Sequence, residues 1–231
     1  MTQEKITMPK VLPSLSGEEL SRYWEIGRAI KDIKSLISCP TTIYKKLYDT
    51  TLFNIAEFCQ AMPYSEKDFH WDYGFLIRQL KLTTTALKLR RGILLPKSTG
   101  AESIAAEEAQ WTYAIFSATL VNNFYHLEQN RIVYQYQPQG NLIDMWSPMM
   151  GSLYKRAFYY SMRFVPSNPT TKRDIFMAAL SQHIFPTFAV KWLSINNYLF
   201  NQWWDTVLHQ SAANNDVQAV IQLAGNKIGI V

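Results

Sequence analysis

The sequence predicts a mostly α domain with a small β-hairpin inserted about halfway along. Three observations carry that expectation. Apolar residues recur at helical spacing over most of the chain, and a period-two pattern appears only near residues 131–137 and 158–165. No Gly/Ser/Pro-rich stretch reads as a linker, and no internal repeat or low-complexity run is present. With 231 residues, 48% of them apolar and 18% charged, the chain can bury one substantial core.

The elements follow in order. Residues 1–15 read as a flexible N-terminal arm, because Pro9 and Pro13 oppose regular structure. Ser16-Gly17-Glu18-Glu19 is a capping box, and Leu20, Trp24, Ile30, Ile33 and Ile37 then recur at helical spacing over about twenty residues. Pro40 ends that helix and can open the next, about 41–60, with Ile43, Leu47, Ile55 and Phe58 facing inward. Residues 62–72 form a polar connector. A third helix is expected from about Gly74 to Arg91, closed by Gly92. A fourth covers about 102–127. Residues 131–137 and 158–165 read as two strands forming one hairpin, with turn chemistry at Pro138, Gly140 and Asn141. Helical pattern returns at about 170–184, breaks at Pro186 and resumes to about His209. Asn214-Asn215-Asp216 caps a last short helix.

Composition excludes several classes. Cys39 and Cys59 are too few for a disulfide framework or a Cys-based zinc site, and they read as reduced thiols of a cytoplasmic protein. The polar stretch Met1–Lys10 has no apolar segment of a signal peptide. Ala109–Leu127 carries Gln110, Asn122, Asn123 and His126, too polar for a lipid span, so no transmembrane segment is expected. No G-x-G-x-x-G, Walker loop or G-x-S-x-G is present. No cofactor, no small-molecule substrate and no catalytic residue is expected.

Three groupings invite a functional reading. Between Leu76 and Ala101 the chain carries Arg78, Lys81, Lys88, Arg90, Arg91 and Lys97 and no acid, and its net charge is +5. Such a run can contact phosphates, or it can be a solvated face. Trp203 and Trp204 are adjacent on a predicted helix, about 100° apart around its axis. Both can hardly face one core, so one of them is a candidate partner surface. Of the four histidines, His70, His126, His183 and His209, no two stand at i, i+3 or i+4, so none forms a local metal clip.

Several blocks resemble one family. The stretch CQAMPYSEKDFHWDYGFLIRQ at residues 59–79 is similar to a segment of MobH-type (TraI-like) relaxases of integrating conjugative elements, where the pattern is roughly Q-x-L-P-A-S-E-x-H-H-H followed by G-G-L-L-x-H. LKLRRGILLP at 87–96, AAEEAQWTYAIF at 105–116 and WSPMMGSL at 146–153 continue the likeness. It spans about residues 20–228, as short blocks in the right order.

The resemblance implies an HD-phosphohydrolase-like helical bundle, a fold that holds divalent metal with His…His-Asp…Asp. It also implies that this chain has lost those ligands. The closing His of G-G-L-L-x-H falls on Gln79. The family's His-Asp pair falls on Asn122 and Asn123, within LVNNFYH at 120–126. The final Asp falls on Gly225, and the triple His survives as His70 alone. Neutral amides are weak ligands without charge. The expectation is therefore a standalone, degenerate relaxase/HD-like domain over residues 16–231. It would be a pseudoenzyme without metal, acting through a protein partner. Two alternatives are a direct DNA-binding accessory of conjugative transfer, using the basic segment, and a metal-dependent nuclease or phosphohydrolase with a site rebuilt from His70, Asp72 and His126.

Overall fold

A computed structural model describes residues 10–97, 100–166, 172–210 and 214–229. The predicted α-rich class is the one observed, with a small antiparallel sheet set into the helices. Two short N-terminal helices, α1 (Gly17–Ser21) and α2 (Trp24–Ser35), stand where one long helix was expected. Ser16 caps α1 through the predicted box, its side chain accepting from the Glu19 amide while the Glu19 carboxylate accepts from the Ser16 amide. Next come α3 (Thr41–Tyr44), a π-turn over Lys45–Asp49 and α4 (Thr50–Cys59), filling the predicted 41–60 helix. The α1 N-terminus lies directly on α4: a Cβ at Gly17 would sit 2.4 Å from the Phe53 Cβ, so glycine is required there.

Helix α5 (Gly74–Arg90) runs through the middle of the molecule and packs against α2, α6 (Ala101–Leu120) and α11 (Asp216–Lys227). Every residue from Gly74 to Leu80 is buried. A Cβ at Gly74 would lie 1.9 Å from the Phe69 carbonyl oxygen, so the connector can fold back over the α5 start only with glycine there. Tyr44, Tyr48, Tyr113 and Phe116 form a ring-on-ring cluster between the π-turn and α6, and the Thr51 and Tyr113 hydroxyls meet at 3.0 Å.

The predicted hairpin is corrected to a four-stranded sheet. Strand β2 (Arg131–Tyr136) does pair with the predicted second strand, β4 (Tyr159–Phe164), but β3 (Leu142–Trp146) is its true hairpin partner. The order is β1-β4-β2-β3. Strand β1 (Leu12–Pro13) comes from the expected loose arm, where Leu12 and Pro13 pair with Tyr160 and Tyr159. Pro13 is tolerated because β1 is an edge. Pro9 lies outside the described residues. The sheet is tied to the helices at the connector: the Ala61 amide donates to the Tyr160 hydroxyl, and Arg131 donates to the Pro63 and Tyr64 carbonyls.

After a short α7 (His126–Gln129), a 3-10 turn at Pro148–Met150 and α8 (Arg173–Ile184), the predicted 187–209 helix is split into α9 (Thr187–Ser194) and α10 (Asn197–Val207). Asn196 caps α10. Trp203, a candidate partner surface, is fully buried in the α6–α10 seam, its indole donating to Ser117 at 2.9 Å. Trp204 is half-buried. Neighbours on a helix face different directions, and the core took Trp203. We predict that Trp203→Ala costs about 3–5 kcal/mol in urea unfolding, whereas Trp204→Ala costs clearly less.

Candidate functional site

The polar centre of the molecule is built where α5 meets the end of α6. Gln79 is fully buried, and its amide nitrogen donates to the backbone carbonyls of Leu120 and Asn122. The Leu120 carbonyl is the last of α6 and lacks a partner within the helix, and the Asn122 carbonyl follows in the turn after it. Gln79 thus caps a helix C-terminus from a neighbouring helix. Its oxygen accepts from the Arg78 guanidinium at 3.0 Å. In the turn after α6, Asn123 has φ of 60°, the left-handed conformation that asparagine tolerates. So Gln79 and Asn122 are brought together, through the amide of one and the backbone of the other. Gly225 is buried on α11, which packs against α5, while His70 sits exposed on the connector, its Nδ1 3.2 Å from the Lys67 carbonyl.

Around this centre stand basic and aromatic side chains from six parts of the chain. Arg78 is only 2% exposed, and its guanidinium lies 4.2 Å above the Tyr64 ring. Arg131 is as deeply buried and spends its guanidinium on Pro63, Tyr64 and Asn130 oxygens. Arg173 lies 3.5 Å over the Tyr125 ring. The His126 ring packs between Tyr125 at 4.3 Å and edge-on Tyr64 at 5.4 Å, and His209 meets Tyr125 at 5.6 Å. Burial, then the charges of Arg131, Arg78 and Arg173, hold the His126 pKa well down, at about 4. Burial, Arg173 and His126 hold His209 equally low. Both imidazoles are neutral at pH 7.

Sequence reasoning found Arg78 and His126 but missed Arg131, Arg173 and His209 as members of one group. One signal was legible. Arg131 shares its strand parity with buried Val133 and Gln135, so it had to point inward.

The basic segment is corrected. Arg78 and Arg90 are buried, and Lys97 is paired with Asp216. The 76–101 run is therefore no single solvated face, because most of α5 lies inside the core. Lys81, Lys88 and Arg91 remain exposed, Lys81 lying 5.3 Å from the Phe69 ring centre. The rebuilt metal site is also not assembled. Asp72 pairs with Lys10, and among the described residues no three His, Cys, Asp or Glu side chains gather into a ligand set.

Two clefts open beside the centre. One, of about 380 Å³, is lined by Tyr64, Lys67, His70, Trp71 and Arg78 among others. A larger groove of about 560 Å³ between α2 and α5 is lined by Trp24, Arg28, Asp32, Phe69, Trp71 and Lys81 among others. Trp24 is 77% exposed at its edge. Among the described residues, no helix is long and apolar enough to cross a membrane.

A helical domain with a buried polar centre at an interhelical seam is the class these features define. The chain belongs to the TraI_2 family, described as "Putative helicase", whose model matches residues 17–227. That places it among conjugation-related, TraI-like domains. No curated protein matches the chain.

The two histidines give a pH prediction. Their folded pKa values lie below the usual imidazole value, so the unfolded chain binds more protons between about pH 4 and 6.5. Stability should be full above that window and fall as pH drops through it. We predict a melting temperature that declines from pH 7 to pH 4.5, and a shallower decline in the His126→Asn, His209→Asn double variant.

Proposed function

We propose that this chain is a non-catalytic, HD-like domain of conjugative-relaxase ancestry that acts by binding a protein partner. The observation that carries this reading is the commitment of Gln79. At the position where the family resemblance places a metal-binding histidine, an amide nitrogen faces two backbone carbonyls. A donor cannot ligate a cation. The residues around it do not fit a divalent metal either. Arg78, Arg131 and Arg173 would repel it, and among the described residues no carboxylate set offsets its charge. The internal hydrogen bonds instead turn the position into a satisfied polar core.

The α2–α5 groove is the surface we assign to the partner. Trp24, Phe69 and Trp71 supply amphipathic contact area, and the charges lining it balance: Arg28 and Lys81 against Glu25 and Asp32. Balanced charge suits a polypeptide better than a phosphate backbone.

Elemental analysis after incubation with manganese or iron, alongside thermal melting, tests the reading. The expected result is substoichiometric metal and an unchanged melting temperature. Stoichiometric metal with a raised melting temperature overturns it.

One observation favours a second reading, direct contact with DNA. Lys81 and Lys88, seven residues apart on α5, share an exposed stripe, with Arg91 three residues further on. Under this reading binding weakens steeply with salt. It is then abolished by Lys88→Glu with Arg91→Glu, a pair exposed enough to leave the fold intact. Binding that survives the double reversal excludes that stripe.

A further inference from the structure

Arginine carries its charge at any physiological pH. Two buried guanidiniums, Arg78 and Arg131, with half-buried Arg173 beside them therefore need compensation. Here they receive only part of it. Arg131 is satisfied by carbonyl and amide oxygens, Arg78 by one amide oxygen and a ring face, Arg173 by a ring face. Each is attraction to a dipole or quadrupole, weaker than a full negative charge. Among the described residues, none of the three is in a salt bridge. The acid that acts on Arg78 is Asp68, an exposed residue on the connector. Glu128, on α7, has contacts of its own.

A second observation points the same way. The His209 Nε2 atom is buried and without a hydrogen-bond partner. Such an atom costs free energy unless something occupies the space beside it. It belongs to a ring 5.6 Å from Tyr125, the same tyrosine that Arg173 covers and His126 packs against. On its Tyr64–Arg78 side the centre borders the 380 Å³ cleft, whose lining also holds Lys67, His70 and the Asp68 carboxylate. That volume suits a small ligand.

We propose that the arginine–histidine centre around Tyr64 and Tyr125 is a binding site for a phosphate-type oxyanion. The inference rests on the reading of the α5–α6 centre as metal-free. Guanidinium forks match the geometry of phosphate oxygens, and imidazole and Lys67 supply further donors. Fixed arginine charge takes the role that a cation would otherwise play, holding an anion without activating water. Arg78 and Arg173 are the binding residues. Arg131, fully spent on Pro63, Tyr64 and Asn130, is a positioning residue that holds Tyr64.

The test is thermal melting at pH 7.5 in sodium phosphate against sodium chloride of equal ionic strength, with phosphorus NMR of inorganic phosphate as a second readout. Phosphate should raise the melting temperature by roughly 2–4 °C and broaden the phosphorus line. Arg173→Gln, at a half-buried position, should melt normally in chloride and lose both effects. Lys88→Gln should keep both. Phosphate also stabilises proteins by exclusion from their surface, so a rise that persists undiminished in Arg173→Gln overturns the proposal, as does an unbroadened line with the wild type. Adenosine monophosphate and a single-stranded oligonucleotide with and without a 5′-phosphate separate the sources. Tighter binding of the phosphorylated strand than of its unphosphorylated twin assigns a nucleic-acid end, and tighter binding of the mononucleotide assigns a free nucleotide. Failure here without metal uptake leaves the proposed function standing, whereas metal uptake overturns both.

Discussion

Helix α5 is buried along nearly its whole length yet carries two arginines and a glutamine inside. A buried charge or amide is tolerated only where other groups are arranged to meet it. Much of the surrounding architecture answers that demand. The α6 end is placed so that its carbonyls accept from Gln79, and the connector folds back so that the Tyr64 ring underlies Arg78. Arg131 then fixes that connector by taking the Pro63 and Tyr64 carbonyls, which also locks the sheet onto the helices. Remove the α5 polar groups and the reason for this arrangement goes with them.

The same centre explains why the sheet is small but not dispensable. Strand β2 delivers Arg131, β4 covers the far side with Phe164 5.3 Å from its guanidinium, and Tyr160 meets the Ala61 amide. The two-residue β1 strand closes the β4 edge. On the opposite side, β3 is a bulged edge with the ladder shifted between Gln135 and Tyr136. Its Met145 amide is taken by the Asp144 carboxylate. A bulge and an edge charge are devices that discourage edge-to-edge pairing, so the exposed Leu142, Ile143 and Met145 side chains do not by themselves define a docking strand.

The sequence disclosed periodicity well and context poorly. Helices α4, α5, α6 and α11 were legible because a 3.6-residue repeat, a cap or a closing glycine marks each. The break after α1 was not, since Arg22 and Tyr23 carry no breaker chemistry. Strand β3 was missed because its bulge at Ile143 spoils the alternation that reveals a strand. The cations of α5 misled for a different reason. A charged residue reads as exposed, and only the burial of the whole Gly74–Leu80 turn shows that Arg78 has nowhere else to go. The arginine–histidine centre draws on residues 78, 126, 131, 173 and 209, too far apart for any spacing rule to collect. The contact of Gln79 with Asn122 uses the Asn122 backbone carbonyl, whereas the family resemblance had grouped the two positions by their side chains.

On the proposed descent from a relaxase, that contact bears on how a site changes chemistry without changing place. A histidine and an aspartate at such positions serve as ligands because they offer lone pairs and negative charge. Glutamine and asparagine of nearly the same size keep the packing but supply donors and no charge. On the proposed reading no ligand carboxylate stands there, and Arg78, Arg131 and Arg173 all act on His126. Burial first, and then the three arginines for His126 and Arg173 with His126 for His209, keeps both imidazoles neutral, which spares the interior two more charges. On that reading the electrostatic sign of the centre is the reverse of a metal site's. A site of this kind would reject cations and attract oxyanions for one and the same reason, the surplus of fixed guanidinium charge at the α5–α6 seam.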